Sequence, residues 1–181
     1  RRAQLATVEP NEAHTILAEL EKDFEVTVIT QNVDNLHERA GSTNIIHLHG
    51  ELTKVRPEDT YTDMDWWSER YVQDIGYKAI NLGDKGGPHN TQLRPHIVWF
   101  GEQVSNLQKA AEAVSRADIL LIVGTSMQVY PAAGLYQYAP SGCKIYMIDP
   151  DPAAAAHVSG VVHIKDVATD GMRKFRELIS E

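Results

Sequence analysis

Cysteine is nearly absent from this sequence: Cys143 stands alone among 181 residues. A single thiol can form neither an internal disulfide nor a thiolate zinc site, so a reducing, cytoplasmic setting is the expectation. Long apolar runs are missing too. No stretch approaches the roughly 20 residues needed to cross a bilayer as a helix, and the first residues lack a signal-peptide pattern, so no membrane association is expected. Basic charge is in deficit, with 17 Lys and Arg against 25 Asp and Glu. Binding nucleic acid without sequence preference needs a basic surface, so nucleic acid is not an expected partner; lysine-rich protein segments are compatible. The two common nucleotide fingerprints, GxGxxG and the P-loop lysine motif, do not occur. Nor does an initiating Met: the chain opens on Arg1-Arg2 within a predicted helix and reads as a piece whose first segment lies outside it.

Hydrophobic residues at 43% and charged residues at 23% are the balance of a globular protein, long enough for one domain or one domain with a small insertion. Asn11 is placed to cap a helix whose apolar positions Ala13, Ile16, Leu17 and Leu20 share one face. Strands are predicted at 24–30, 45–49, 96–100, 119–123, 144–148 and 161–164. Helices fall between them at 105–116, from Pro131, in an Ala-rich stretch after 150, and from a cap at Asp170. Residues 31–43 are polar and end in a turn. Residues 51–95 differ, with Trp66, Trp67 and the turn-rich run at 83–88, and read as a small irregular inserted domain. Strands alternating with helices imply an α/β fold: a Rossmann-like parallel sheet covered by helices on both faces. The expected division is 1–50 and 96–181 for this domain and 51–95 for the insertion.

In such sheets ligands bind beyond the carboxyl ends of the strands. Three polar clusters fall there: Thr30-Gln31-Asn32-Val33-Asp34, Gly124-Thr125-Ser126, and Asp149. Glycine admits a ligand to the backbone, and hydroxyls and free amides suit phosphate oxygens. Asp149 could accept a ribose hydroxyl, or simply form a turn before Pro150. His47 and His49, two apart on a predicted strand, would share a face; no third ligand of matching spacing is evident, so no metal is expected. His49 abuts Gly50 at the strand end and is the better placed to act as a general base.

These segments together resemble one family. Thr30 to His37 looks like the sirtuin TQNxDxLH signature, and Leu48-His49-Gly50 its catalytic HG motif. Val98-Trp99-Phe100-Gly101-Glu102 is similar to the VxFGE peptide-binding segment. Gly124-Thr125-Ser126, with Val129-Tyr130-Pro131 after it, resembles the GTS loop and its VxP continuation. The resemblance implies an NAD-dependent protein-lysine deacylase with His49, Asn32 and Asp34 catalytic. Gln31, Asn32 and Asp34 would line the nicotinamide–ribose pocket. Gly124, Thr125, Ser126 and Asp149 would also contact NAD, with Val167 and Ala168 against the adenine. Val98, Phe100, Gly101, Glu102 and Val129 would hold the acylated peptide. The implied chemistry is attack of the acyl-lysine amide oxygen on the nicotinamide ribose, then deprotonation of a ribose hydroxyl by His49. The products would be free lysine, nicotinamide and O-acyl-ADP-ribose.

Three departures accompany the resemblance. The family's opening GAGxS segment and FR motif are absent, and with them the first strand and the cofactor loop. The four zinc cysteines usual in the small domain are absent, which implies a zinc-free small domain. Arg1 aligns with the arginine of the YxxR motif of sirtuins that prefer succinyl- or malonyl-lysine, so removal of acidic acyl groups beside acetyl is an expectation. A module that holds NAD or ADP-ribose without turnover is the alternative. Intact Asn32, Asp34 and His49 argue against it, because binding alone needs no base. The sequence names neither the protein substrates nor an oligomeric state.

Overall fold

Asn11 starts the first long helix by a reciprocal cap. Its side chain accepts the His14 N–H, and His14 Nδ1 accepts the N–H of Asn11, with histidine in the place usually taken by Glu. The computed structural model describes residues 1–58 and 69–180; Trp66 and Trp67, expected to anchor the insertion, lie outside the described residues. A short helix α1 (Arg2–Leu5) precedes the capped helix α2 (Glu12–Leu20), which buries Ala13, Ile16 and Leu20. The apolar run at 24–30 yields a shorter strand than expected, β1 (Val28–Thr30). Its parallel partner β2 (Ile45–His47) offers only three residues, so residues 24–27 have no ladder to join. The polar stretch between them contains an unforeseen helix, α3 (Leu36–Ala40), ended by Gly41 at φ 107.

An antiparallel sheet comes next, built from β3 (Gly50–Pro57), β4 (Gln73–Asp74), β5 (Lys85–Gly86) and β6 (Thr91–Ile97) in the order β4-β3-β6-β5. The expected strand at 96–100 thus begins and ends earlier. After Val98 donates to His49 O (2.9 Å), the chain turns, closed by Glu102 N–H on Trp99 O (3.0 Å). Arg2 ties α1 to this sheet through Leu52 O (2.5 Å), and to the loop beside it through Lys78 O (3.3 Å).

The remainder alternates as the sequence implies: α4 (Leu107–Val114), β7 (Ile119–Val123), a 3-10 helix at Ala132–Tyr138, β8 (Lys144–Ile148), α5 (Pro152–Ala155), β9 (Val162–Ile164) and α6 (Ala168–Ser180). Asp170 lies inside α6 and binds Arg173 (2.6 Å); it is not the cap. Strands β7, β8 and β9 are parallel. Alternation along β8 shows both faces covered. Tyr146 and Ile148 pack with Ile16, Leu20, Met172 and Phe175 of α2 and α6; Met147 packs with Met127, Ala154 and Val158. On the other pair, Ile46 and Leu48 pack with Ala110, Ala132 and Leu135. The parallel strands form two groups. Among the described residues no strand bridges β1 and β7; the cleft between them is lined largely by apolar side chains, Leu17, Ile29, Leu121 and Phe175 among them, with Gln31, Asn32, Gly124 and Thr125 at the strand ends. No helix among the described residues is long and apolar enough to cross a membrane.

The packing sets two expectations for stability. A Cβ on Gly171, inside α6, would stand 2.2 Å from Ile148 Cγ2 and 3.2 Å from its Cγ1, and Ile148 is 1% exposed. Gly171→Ala should destabilise by about 1–3 kcal/mol through overpacking, despite a helix-propensity gain of about 1 kcal/mol; a urea midpoint at or above wild type contradicts this. His96 on β6 is pushed from 6.5 down to about 4 by burial, reinforced by the charges of Arg56, Lys54 and Arg94. Between pH 6.5 and 4 the unfolded chain takes up a proton that the folded protein refuses, so stability falls as pH falls. The loss should reach roughly 3 kcal/mol. It should be smaller in His96→Gln when unfolding free energies are compared across that window; equal slopes would exclude His96 as the cause.

Candidate active site

Parallel pairing through Thr30↔His47 ends β1 and β2 at the same level, so the loop leaving one strand lies beside the turn leaving the other. Leu48 N–H donates to Thr30 O (2.9 Å), carrying the contact one residue further. The next residue is His49, half-buried, with Nδ1 3.1 Å from Gln31 O. A carbonyl only accepts, so Nδ1 carries the hydrogen; in the neutral ring this is the tautomer with the lone pair on Nε2, the one a general base requires. His49 O in turn accepts Val98 N–H (2.9 Å). The ring of His49 thus meets the Gln31 loop, while its backbone meets the segment expected to hold a peptide. Gly50 makes this turn possible: it sits at φ 80, and a Cβ there would lie 2.1 Å from His96 O.

The loop after β1 is held by its own side chains. Asn32 N–H donates to Thr30 Oγ1 (3.1 Å), and Asp34 Oδ1 accepts Leu36 N–H (3.1 Å) at the start of α3. At the end of β7, Gly124 takes φ 59 and nothing lies within 4 Å of where a Cβ would stand. Thr125 Oγ1 accepts Met127 N–H (3.2 Å). Gln31, Asn32, Gly124 and Thr125 all line the cleft between β1 and β7, so the fold brings two of the three predicted clusters to one space. Ala168, at the start of α6, lines it as well; Ser126, Asp149 and Val167 do not. Asp149 stands just after β8, with Oδ1 accepting Asp151 N–H (2.8 Å) and its carbonyl accepting His163 Nε2–H (2.8 Å). Val167, half exposed, lies beyond the end of β9. Ser126, Asp149, Val167 and Ala168 lie along the same carboxyl edge of the β7-β8-β9 sheet.

The segment after β6 presents apolar surface: Phe100 is fully exposed, and Trp99, Val129 and Tyr130 are exposed as well. Gly101 sits at φ 91. Glu102 has another part. Its carboxylate accepts two hydrogen bonds from Arg94 (2.7 and 3.0 Å) and one from Trp99 N–H (3.0 Å). Burial favours its neutral acid, yet these bonds and the Arg94 and Arg56 charges hold it below the usual carboxylate range. It fastens the loop and offers no free carboxylate. Arg1 is exposed and bonds Gln4 (3.3 Å); no described contact ties it to the cleft.

His47 differs from its expected place. The strand ends at His47, so it shares no strand face with His49. Its Nε2 lies 2.6 Å from Glu38 Oε1 on α3. Ligand atoms of Glu38, His47 and Glu51 fall within 4.8 Å of one another, but Glu38 pairs with His47 and Glu51 with Lys54 (2.6 Å), which accounts for the grouping as ion pairs. Sequence reasoning missed Glu38, Arg94 and Asn106. Glu38 rides on the unforeseen α3, and no spacing rule pairs it with a histidine nine residues on.

A model of the Sir2 family matches residues 1–131. An NAD-dependent protein deacylase of Bacteroides thetaiotaomicron is 50% identical over 182 residues, covering 99% of this chain and 75% of that protein. One of Helicobacter pylori (strain ATCC 700392 / 26695) is 49% identical over 173 residues, covering 96% of this chain and 71% of that protein. Among solved structures, a Sir2 homologue in complex with ADP-ribose superposes with a TM-score of 0.81 at 34% identity, covering 99% of this chain and 72% of that one. A Sir2 complex with a p53 peptide and NAD+ gives 0.75 at 27% identity, covering 98% and 73%. With the family matched over most of its length and the fold shared, the chain belongs to the Sir2 family.

Proposed function

We propose that this protein is an NAD-dependent protein-lysine deacylase with His49 as its general base. One observation carries the reading: Nδ1 of His49 is held by Gln31 O at 3.1 Å at the carboxyl ends of β1 and β2, so the neutral ring has its lone pair on Nε2. The polar residues at the strand ends of the cleft fit NAD. Gly124 leaves open space where a side chain would block a phosphate, and Gln31, Asn32 and Thr125 bring carboxamides and a hydroxyl to the same cleft. Bound NAD would supply a nicotinamide–ribose bond that breaks to leave an acyl acceptor. Gln31, Asn32 and Asp34 would orient the nicotinamide and its ribose. Gly124, Thr125 and Ser126 would hold phosphate and hydroxyl oxygens, and Asp149 a ribose hydroxyl. Val167 and Ala168 would lie against the adenine.

Val98, Phe100, Gly101 and Val129 would receive the acylated peptide as an added strand, covering Phe100 and Val129. Glu102 would keep that loop in shape. With one cysteine in the chain, the small domain at 51–95 would be held without a cysteine-zinc site, and a reducing cytoplasm suits the protein. Residues 1–50 and 96–181 would form the NAD-binding domain. Arg1 would pair bidentately with the carboxylate of a succinyl or malonyl group.

His49→Ala should keep the rise in melting temperature that NAD causes while lowering peptide-dependent O-acyl-ADP-ribose formation by about 10²–10⁴-fold; undiminished turnover removes His49 from the chemistry. Arg1→Met should lower the succinyl-to-acetyl rate ratio by about tenfold. The same ratio in both proteins removes Arg1 from acyl selection.

A further inference from the structure

We propose that His47 is a positioning residue for this reaction: its two ring nitrogens clamp the Gln31–Asn32 loop to helix α3 and so hold the carbonyl against which His49 is oriented. The inference rests on the deacylase reading above. Two successive carbonyls of the loop face two histidines. Gln31 O meets His49 Nδ1 at 3.1 Å, and Asn32 O meets His47 Nδ1 at 3.4 Å. Nε2 of His47 meets Glu38 Oε1 at 2.6 Å. His47 is itself firmly mounted, 8% exposed, paired with Thr30 across the ladder and with its carbonyl accepting Asn106 Nδ2–H (2.8 Å). A shift of the Asn32 peptide would carry the adjoining Gln31 carbonyl with it, and with that the orientation of the base.

Both ring partners of His47 are acceptors. A neutral imidazole has one N–H, so the doubly protonated ring alone satisfies the two. The surroundings favour that form. Burial opposes the charge, but the hydrogen bond and charge of Glu38, the charge of Glu51 and the Asn32 carbonyl outweigh it and raise the His47 pKa above its ordinary value. The partner agrees: burial raises the Glu38 carboxyl, yet the His47 hydrogen bond and the charges of His47 and His37 bring it below its usual range. The other charged groups here are Lys54, which pairs with Glu51, and His37, whose pKa is lowered by burial and by the charges of His14 and His47. When His47 loses its proton, the remaining N–H stays with the charged acceptor Glu38. Nδ1 then faces Asn32 O lone pair to lone pair, and the longer contact lets go. The clamp is thus closed below the ordinary histidine pKa and opens as pH rises through the raised value.

The test compares wild type, His47→Gln and Glu38→Gln in peptide-dependent nicotinamide release across pH, alongside NMR titration of the His47 ring and the Gln31 and Asn32 amides. In wild type the KM for NAD should rise as His47 deprotonates, with the two amides moving at the same midpoint. Glu38→Gln keeps an acceptor but removes the charge, so the ring titration and the KM limb should shift together to lower pH. His47→Gln should lack the limb and show a KM for NAD raised about tenfold with a smaller change in kcat. Identical pH profiles in wild type and Glu38→Gln, or loop amides that do not follow the His47 titration, overturn the clamp. Absence of nicotinamide release in wild type sinks the deacylase reading instead, and the amide titration still decides the clamp.

Discussion

Parallel pairing of two three-residue strands organises the candidate active site. Because β1 and β2 run the same way and stop at Thr30 and His47, the loop after one and the turn after the other must emerge together. Neither strand is long, and neither is stabilised by its own ladder alone. Ile46 and the adjacent Leu48 are buried against α4 and the 3-10 helix, and that packing fixes the level at which both strands end. His49 is placed by this level, since Leu48 continues the contact to Thr30 O and the next residue has only the loop carbonyl to meet.

The antiparallel sheet completes the centre from the other side. Strand β3 leaves His49 through Gly50, whose missing side chain lets β6 come close enough for Val98 to bond His49 O. Arg94, further back on β6, then anchors Glu102, and Glu102 closes the turn that exposes Phe100. A run of backbone and charged contacts therefore links His49 to the exposed apolar surface around Phe100. Charge in this region is concentrated in pairs, Arg94 with Glu102, His47 with Glu38, and Lys54 with Glu51.

Much of this is legible in the residues. Strands β7 and β8 match their expected bounds because their apolar runs are continuous, flanked by turn residues and packed among neighbours. Element ends that depend on a partner depart from the sequence pattern: β1 is cut to the length of β2, β6 begins within the insertion where β3 pairs with it, and α6 begins two residues before Asp170. Helix α3 leaves no apolar signal because its residues are mostly polar and none is buried. The polar clusters at strand ends are legible because chain direction alone puts them on one edge of a parallel sheet.

By itself the sequence determined the alternation of strand and helix, the carboxyl-end clusters and the motifs that mark the family, since these depend on residue identity and order. Only the tertiary structure decided which ring nitrogen of His49 carries the hydrogen, that Glu102 is engaged by Arg94, and that His47 faces Glu38 and Asn32 rather than sharing a face with His49. Those are matters of a few ångströms between residues far apart in the chain, and they are set by where packed elements end.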